Sequence, residues 1–419
     1  MRVLWITNIP LPPICEHLNI PQPVVGGWLY SSLKEIKDNV EEVAVAALWN
    51  RNDFICKKID GITYYMVPSN GVLYKENKQL EYFWNKIYDE FKPDIVHLHG
   101  TEYAHGLSLF RVIPREKIMV SIQGLTSAIA EHYNAGISIK EELRHMTPVN
   151  LYLKNTIFQQ KRSMYNRSKF EIEILKNAKY VIGRTSWDYA HTKAINPDVE
   201  YLYCNESLRE SFYANKWEYG RCEKHSIFIS QSHYPLKGFH MLLKALPLIV
   251  NKYPDVKVYI AGNKKDNSKT LRKRLSKSTY DKFVEHLIRK DSLQKYICYT
   301  GNLNEKEIVK RFLISNIFIS LSSIENSPNS LAEAQLLGVP CISSYVGGAP
   351  DFIEQGKSGY LYRFEETEML AMYICKIFDM GEEELQELSK NERLVAKERH
   401  SVERNRKKLM DIYKYVNRK

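Results

Sequence analysis

The chain is predicted to be α/β, built as two doubly wound, Rossmann-like parallel sheets. Three observations carry that expectation. Short apolar runs of strand length alternate with segments of helical periodicity along two stretches that meet near residue 215. Residues 317–351, IFISLSSIENSPNSLAEAQLLGVPCISSYVGGAPD, read as a single strand–loop–helix–strand unit. The chain has 419 residues, 44% hydrophobic and 26% charged, an ordinary globular composition long enough for two or three domains.

The first half opens on a buried strand, Val3 to Ile6. A Pro-rich stretch over 7–25 follows and is read as a long loop. Gly26-Gly27 closes it and starts a helix whose Leu29, Leu33 and Ile36 share one face. Paired glycines at a helix start let backbone approach a ligand closely. Val43–Leu48 and Ile62–Val67 read as strands and 80–91 as a helix. Asp94 to Gly100 is a strand with a polar tip on which His97 and His99 share a face by period two. An HxH pair can hold a metal, but no third ligand is evident, so no metal site is assigned. Ile118–Ile122 ends in Gln123-Gly124, and Tyr180–Thr185 is a strand with Arg184 at its tip. Residues 207–225 are polar and irregular and are read as a linker.

In the second half, Ile227–Ser230 is a strand. Lys237-Gly238 sits at the junction with a helix beginning at Phe239, where a cation would meet a diphosphate. Strands at 256–261 and 297–300 end at Gly262 and at Gly301-Asn302. Asn304-x-x-Glu307 has the form of a capping box. Then comes the 317–351 unit. Its strand ends at Ser322-Ser323, its helix starts near Asn329 or Ser330, both good N-cap types, and Gly338 and Pro340 stop the helix. A strand–loop–helix unit of this kind offers unpaired N–H groups at the carboxyl end of a parallel strand, which suits a phosphate. Glu325 and Glu333, eight positions apart, could bind hydroxyls of the same ligand. Helices fill the remainder, the last starting at Val402.

The formal charge is +11 and the pI about 9.0, a balance that fits phosphorylated substrates, anionic lipid or nucleic acid. The basic, aromatic stretch 151–180 is accompanied by no nucleic-acid module, so a solvated or membrane-facing helix is expected and nucleic acid is not. The basic run from Lys264 to Lys277 (Lys264, Lys265, Lys269, Arg272, Lys273, Arg274 and Lys277) reads as a solvated helix face. Seven scattered cysteines without a CxxC pair fit a reducing compartment. The first residues hold no signal-peptide core, and nothing approaches about 20 consecutive apolar residues. A cytoplasmic protein, peripheral on the inner membrane face, is expected.

Glu325-x7-Glu333 lies within S-S-x-E-x-S-P-N-S-L-x-E-A and is followed by G-V-P and V-G-G-x-x-D. This arrangement resembles the donor site of family 4 retaining glycosyltransferases with the GT-B fold. The Lys237-Gly238 pair and the tip Ile182-Gly183-Arg184-Thr185-Ser186-Trp187-Asp188 are similar to the family as well. The resemblance implies an N-terminal acceptor-side domain (1–215), a C-terminal nucleotide-sugar domain (216–395) facing it across a cleft, and a C-terminal helix (396–419) crossing back onto the first domain.

The implied activity is transfer of a sugar from a nucleotide-sugar to an acceptor hydroxyl with retention, in cell-surface polysaccharide or glycolipid synthesis. Glu325 and Lys237 would be the catalytic pair. Glu333, Gly26, Gly27, Ser327, Asn329, Ser330, Leu331, Gly262 and Asn302 would bind the donor, and His99, Gln123 and Arg184 would line the acceptor side. The nucleotide-sugar is a substrate, so no cofactor is implied, and a lipid-linked or saccharide acceptor is expected. No Asp-x-Asp occurs, so a metal-free donor site is expected. The chain departs from the family where Gln123 replaces a strand-end histidine and Gln231 or Ser232 stands near an arginine's place. An inactive, GT-B-like binding or scaffold subunit is the alternative reading.

Overall fold

The computed structural model describes residues 1–23, 26–69, 77–264 and 276–419, so Lys265, Lys269, Arg272, Lys273 and Arg274 lie outside the described residues. The chain divides into two compact units. The first comprises Met1–Ser127, Tyr165–Arg209 and His400–Lys419, and the second Ala128–Met164 and Glu210–Arg399.

The first unit is built on an eight-stranded sheet. Its strands are β1 (Arg2–Thr7), β2 (Glu42–Trp49), β3 (Ile55–Ile59), β4 (Ile62–Pro68), β5 (Ile95–His99), β6 (Ile118–Ser121), β7 (Tyr180–Gly183) and β8 (Glu200–Tyr203). They are ordered β3-β4-β2-β1-β5-β6-β7-β8, and only β3 runs antiparallel to its neighbour. Every residue of β5 and β6 is buried, as continuous apolar runs in a doubly covered parallel sheet require. The chain leaves β1 in one direction and returns to β5 on its other side, so the strand order reverses between β1 and β5.

The helix Val402–Asn417 belongs to this unit. Met410, Ile412, Tyr413 and Val416 join the core formed by Val3, Trp5, Leu33 and Val45. Trp5 Nε1 donates to Tyr413 Oη (2.9 Å), which shares a second hydrogen bond with His97 Nδ1 (2.7 Å), and His97 Nε2 shares one with Ser121 Oγ (2.6 Å). His97 is therefore a satisfied core residue. Burial pushes it down to about 3, so it is neutral at physiological pH.

The second unit holds six parallel strands: β9 (Glu223–Ile229), β10 (Lys257–Ile260), β11 (Ile297–Tyr299), β12 (Ser315–Ser320), β13 (Cys341–Ser344) and β14 (Tyr360–Tyr362). Their order is β11-β10-β9-β12-β13-β14, which reverses between β9 and β12. Phe228, Phe312 and Phe318 pack together beneath that point.

Residues 128–164, expected in the first domain, cluster with the second. Buried side chains tie them there: His240 Nε2 hydrogen-bonds Ala135 O (2.8 Å) and Asn150 Nδ2 donates to Lys277 O (2.6 Å). The expected linker at 207–225 is also corrected. Phe212 and Trp217 are buried, Trp217 Nε1 donates to Ser315 O (2.8 Å), and a helix spans Glu210–Ala214. The return to the first unit falls at His400, four residues beyond the expected boundary at 396.

Candidate functional site

The sequence-predicted site residues follow the carboxyl ends of parallel strands in both units, where open α/β sheets bind ligands. In the second unit the focus is the reversal between β9 and β12. A polar recess there is lined by Gln231, Lys237, Ser320, Ser322, Glu325 and Ser330, among others.

Lys237 ends a short 3-10 turn, Pro235–Lys237, and Gly238 then caps the helix Phe239–Lys252 in the left-handed region (φ 65°). A Cβ at Gly238 would collide with the backbone carbonyl of Leu321. Ser323 N donates to Leu236 O (2.8 Å), so this turn is pinned against the end of β12. The glycine thus sets how closely Lys237 approaches the 321–325 loop. From the other side, Gly347 (φ 51°) has no room for a Cβ beside the Glu325 carbonyl, and Gly348 N donates to that carbonyl (2.9 Å).

These two clamps bring the side chains together. Lys237 Nζ lies 2.8 Å from Glu325 Oε2, and Ser322 Oγ donates to the same oxygen (3.0 Å). Burial opposes the charge on Lys237, but Glu325 and Tyr234 outweigh it and hold the ammonium above the ordinary lysine range. Lys237 is therefore a fixed cation near neutral pH and cannot act as a base. Gly238→Ala is expected to cost at least about 2 kcal/mol of stability, from the left-handed backbone and the carbonyl collision together. Chemical denaturation measures it, and an unchanged midpoint would remove the clamp from this account.

The helix of the motif runs Asn329–Leu337. Its N-cap is Pro328, with no side-chain cap, so Asn329 and Ser330 are its first two residues rather than the expected caps. Proline holds the extended backbone that precedes a helix but brings no oxygen to the first amides. The N-terminus therefore keeps its capacity for an anion. Gly338 closes the helix in the left-handed region (φ 81°), as expected. Leu331 is fully buried and anchors the first turn, Glu333 is 8% exposed one turn in, and Ser327 sits half-buried in the loop before.

Gly262 and Gly301 form a two-residue bridge between the β10 and β11 ends, with N···O distances of 2.8 and 3.2 Å. The His233 ring lies against Gly262, whose Cβ would fall 2.6 Å from Nε2. Asn302 is exposed beside this bridge. His233 was missed in the sequence because nothing in its spacing ties it to Gly262. Gln231, near the arginine's place, accepts from Tyr234 Oη (3.2 Å).

In the first unit, Gly26 (φ 84°) caps the helix Gly27–Lys37, and a Cβ on Gly27 would touch the Arg209 side chain at 3.4 Å. His99 ends β5, packed at a tilt against Trp5 and His97 with Trp28 nearby, and both its ring nitrogens are buried without a partner among the described residues. Burial, aided by His97 and Arg184, drives it well below the ordinary histidine range. Gln123 is half-buried after β6.

Arg184 is buried. Nη2 lies 2.5 Å from Glu206 Oε1 and donates to Ile122 O (2.7 Å), while its backbone N donates to Asp188 (3.0 Å). As placed, His99 and Arg184 are core residues of this unit rather than an open lining.

Burial lifts the Glu206 carboxyl from an ordinary 4.5 to about 7, against the pull of Arg184 and with Asp188 adding to the rise. A folded value raised above the unfolded one gives stability that is full below pH 4.5 and lost as pH rises through 7. Wild type should therefore lose Tm relative to Glu206→Gln between those limits. Parallel melting curves across the window would disprove this.

Residues 214–395 match the family model described as glycosyl transferases group 1. Spore coat protein SA of Bacillus subtilis (strain 168) is 29% identical over 181 residues, covering 42% of this chain and 45% of that protein. N-acetyl-alpha-D-glucosaminyl L-malate synthase of Bacillus anthracis is 25% identical over 177 residues, covering 41% and 42%. The chain thus spans less than half the length of these curated relatives. Two solved structures share the fold over nearly the whole chain. Sucrose-phosphate synthase from Thermosynechococcus elongatus has a TM-score of 0.72 at 13% identity, covering 99% of each chain. Anabaena Alr3699/HepE, solved in complex with UDP and glucose, has a TM-score of 0.66 at 15% identity, covering 98% and 99%.

Proposed function

We propose that this chain, whose residues 214–395 match the model of the group 1 glycosyltransferases and which has the GT-B fold, transfers a sugar from a nucleotide-sugar to an acceptor hydroxyl with retention at the anomeric carbon. One observation carries the reading. Lys237 and Glu325 are clamped together at the strand-order reversal, in a recess that Ser330 of the uncapped helix also lines.

As the bond to phosphate breaks, charge develops on the leaving diphosphate. Lys237 and the amides around Asn329 to Leu331 stabilise it. Glu325 faces the sugar, which gains positive character, and Glu333 accepts from the ribose hydroxyls. In the front-face course that retention implies, the leaving phosphate oxygen takes the acceptor proton, so no separate base is assigned. That HepE was solved with UDP and glucose supports a nucleotide-sugar donor. A lipid-linked or saccharide acceptor, in cell-surface polysaccharide or glycolipid synthesis at the cytoplasmic face, fits the basic charge of +11.

The test is a thermal-shift panel of nucleoside diphosphates and nucleotide-sugars, with and without EDTA. A ligand at about 100 times its dissociation constant should add about 2.7 kcal/mol of stability. The metal-free donor site requires that this shift survive the chelator. Loss restored by Mn²⁺ would overturn it, and no shift with any nucleotide would overturn the donor site itself. Gln231 in the recess favours a second reading, an inactive binding subunit. Nucleotide-sugar binding without hydrolysis or transfer would select that one.

A further inference from the structure

Residues 138–162 of the second unit are anchored by buried polar groups and expose several large apolar side chains. Asn150 is completely buried. Its Nδ2 donates to Lys277 O (2.6 Å) and Asn155 Oδ1 (2.7 Å), and its Oδ1 accepts from Lys282 Nζ (2.6 Å). Asn155 Nδ2 donates to Ser276 O (3.0 Å), and Ile157 N to Thr279 Oγ1 (3.2 Å). Polar groups thus hold the segment from inside, while large apolar side chains point outward. Tyr152 is 85% exposed, Ile139 78% and Phe158 65%, and Leu143, Leu151 and Leu153 are also exposed. Ile139 and Leu143 stand four apart on one face of the helix Ile139–His145. Phe158 is brought beside that helix by its own N–H, which donates to Glu142 Oε1 (2.9 Å). So many large apolar residues on one firmly held segment mark an interaction surface.

The charges around it choose the occupant. Residues 139–162 hold five lysines and arginines against two glutamates. Both glutamates accept backbone N–H groups, Glu141 from Ser138 (3.2 Å) and Glu142 from Phe158. Lys140, Arg144, Lys154 and Arg162 are exposed. A second copy docking symmetrically on this face would set that basic rim against itself, whereas an anionic bilayer complements it. We propose that residues 139–162 form a membrane-docking surface. Ile139, Tyr152 and Phe158 enter the interface between headgroups and acyl chains, and the four exposed cations meet anionic headgroups. No helix among the described residues is long and apolar enough to cross a membrane, so the attachment is peripheral. The sequence alone pointed to 151–180. The structure extends the surface toward the N-terminus, over the two short helices before Ile157 and the first turns of the helix Ile157–Asn177.

Vesicle flotation of the full chain tests this, with phosphatidylcholine vesicles against vesicles carrying about one-third phosphatidylglycerol. Binding to the anionic vesicles is expected, falling as salt rises, with little binding to the neutral ones. Ile139→Ser/Tyr152→Ser/Phe158→Ser should lower that binding by about tenfold or more. Lys140→Glu/Arg144→Glu/Lys154→Glu should abolish the preference for anionic lipid. The altered side chains are exposed, so Tm should hold in both variants. Equal binding to both vesicle types, or none, would overturn the proposal. Self-association in sedimentation velocity that the serine variant abolishes would assign the face to a second copy instead. The surface shares no residue with the Lys237–Glu325 recess, so nucleoside diphosphate shifts in the same variants report separately on the donor site.

Discussion

Lys237→Ala should lower kcat for nucleotide-sugar turnover by about 10²–10³, the usual cost of removing one preorganised group that meets developing negative charge. Two features make the effect large. The ammonium is held in place by the Gly238 turn against Leu321, so little reorganisation is needed as charge appears. Its removal also leaves Glu325 as an uncompensated carboxylate in the recess, 25% exposed, where it would repel a diphosphate. The second feature gives a sharper expectation. Lys237→Ala/Glu325→Gln should bind nucleoside diphosphate better than Lys237→Ala alone, because the repelling charge is gone. The two substitutions therefore should not add. Calorimetric titration of the four proteins decides it. Strict additivity would mean that the two groups act on the ligand independently, despite their 2.8 Å contact.

Glu333 and Glu325 should fail in different ways. Glu333 is proposed to hold ribose, which does not change during reaction. Glu333→Gln should weaken nucleoside diphosphate binding and raise KM by roughly 10- to 150-fold, the equivalent of losing one charge-assisted bond of about 1.5–3 kcal/mol. Glu325→Gln should instead lower kcat more than it raises KM, since its attraction for the sugar grows toward the transition state. Nucleoside diphosphate affinity should hold or rise in that variant, because the Glu325 carboxylate otherwise occupies Lys237 when no ligand is bound. Two variants that both retain full activity would remove the assigned roles of the two carboxylates together.

The local signals in the sequence were legible where chemistry acts over a few residues. Asn304 and Glu307 form the expected capping box, Gly338 ends its helix, and the helix read at 80–91 spans Gln79–Phe91. The misses have physical reasons. Pro12 and Pro13 suggested a loop, but they occupy the first turn of the helix Pro12–His17, where a missing N–H costs nothing. Ile55–Ile59 carries Cys56, Lys57 and Lys58 facing solvent because β3 is an edge strand, paired among the described residues with β4 alone. Trp217 sat in a polar stretch whose anchor, Ser315 O, is 98 residues away. In the candidate site, residue types at fixed spacing pointed to Lys237, Glu325 and Glu333, and the structure brings the first two into contact. The fit that joins two of them did not show, because Gly238 against Leu321 and Gly347 against Glu325 are backbone approaches between distant segments.

The helix Val402–Asn417 also sets an order of assembly. The core of the first unit is unfinished without Tyr413, whose hydroxyl meets Trp5 across 408 residues of sequence. During synthesis, Met1–Ser127 and Tyr165–Arg209 of the first unit emerge first, yet their core must wait for the chain from His400 onward. The larger part of the second unit, Glu210–Arg399, is made in that interval, about 10–40 s at ordinary translation rates of ~5–20 residues per second. The unit that begins the chain is thus the later one to close. For that period its apolar strands, β1 and β5 among them, lack their final cover and are the part of the nascent protein most in need of a chaperone.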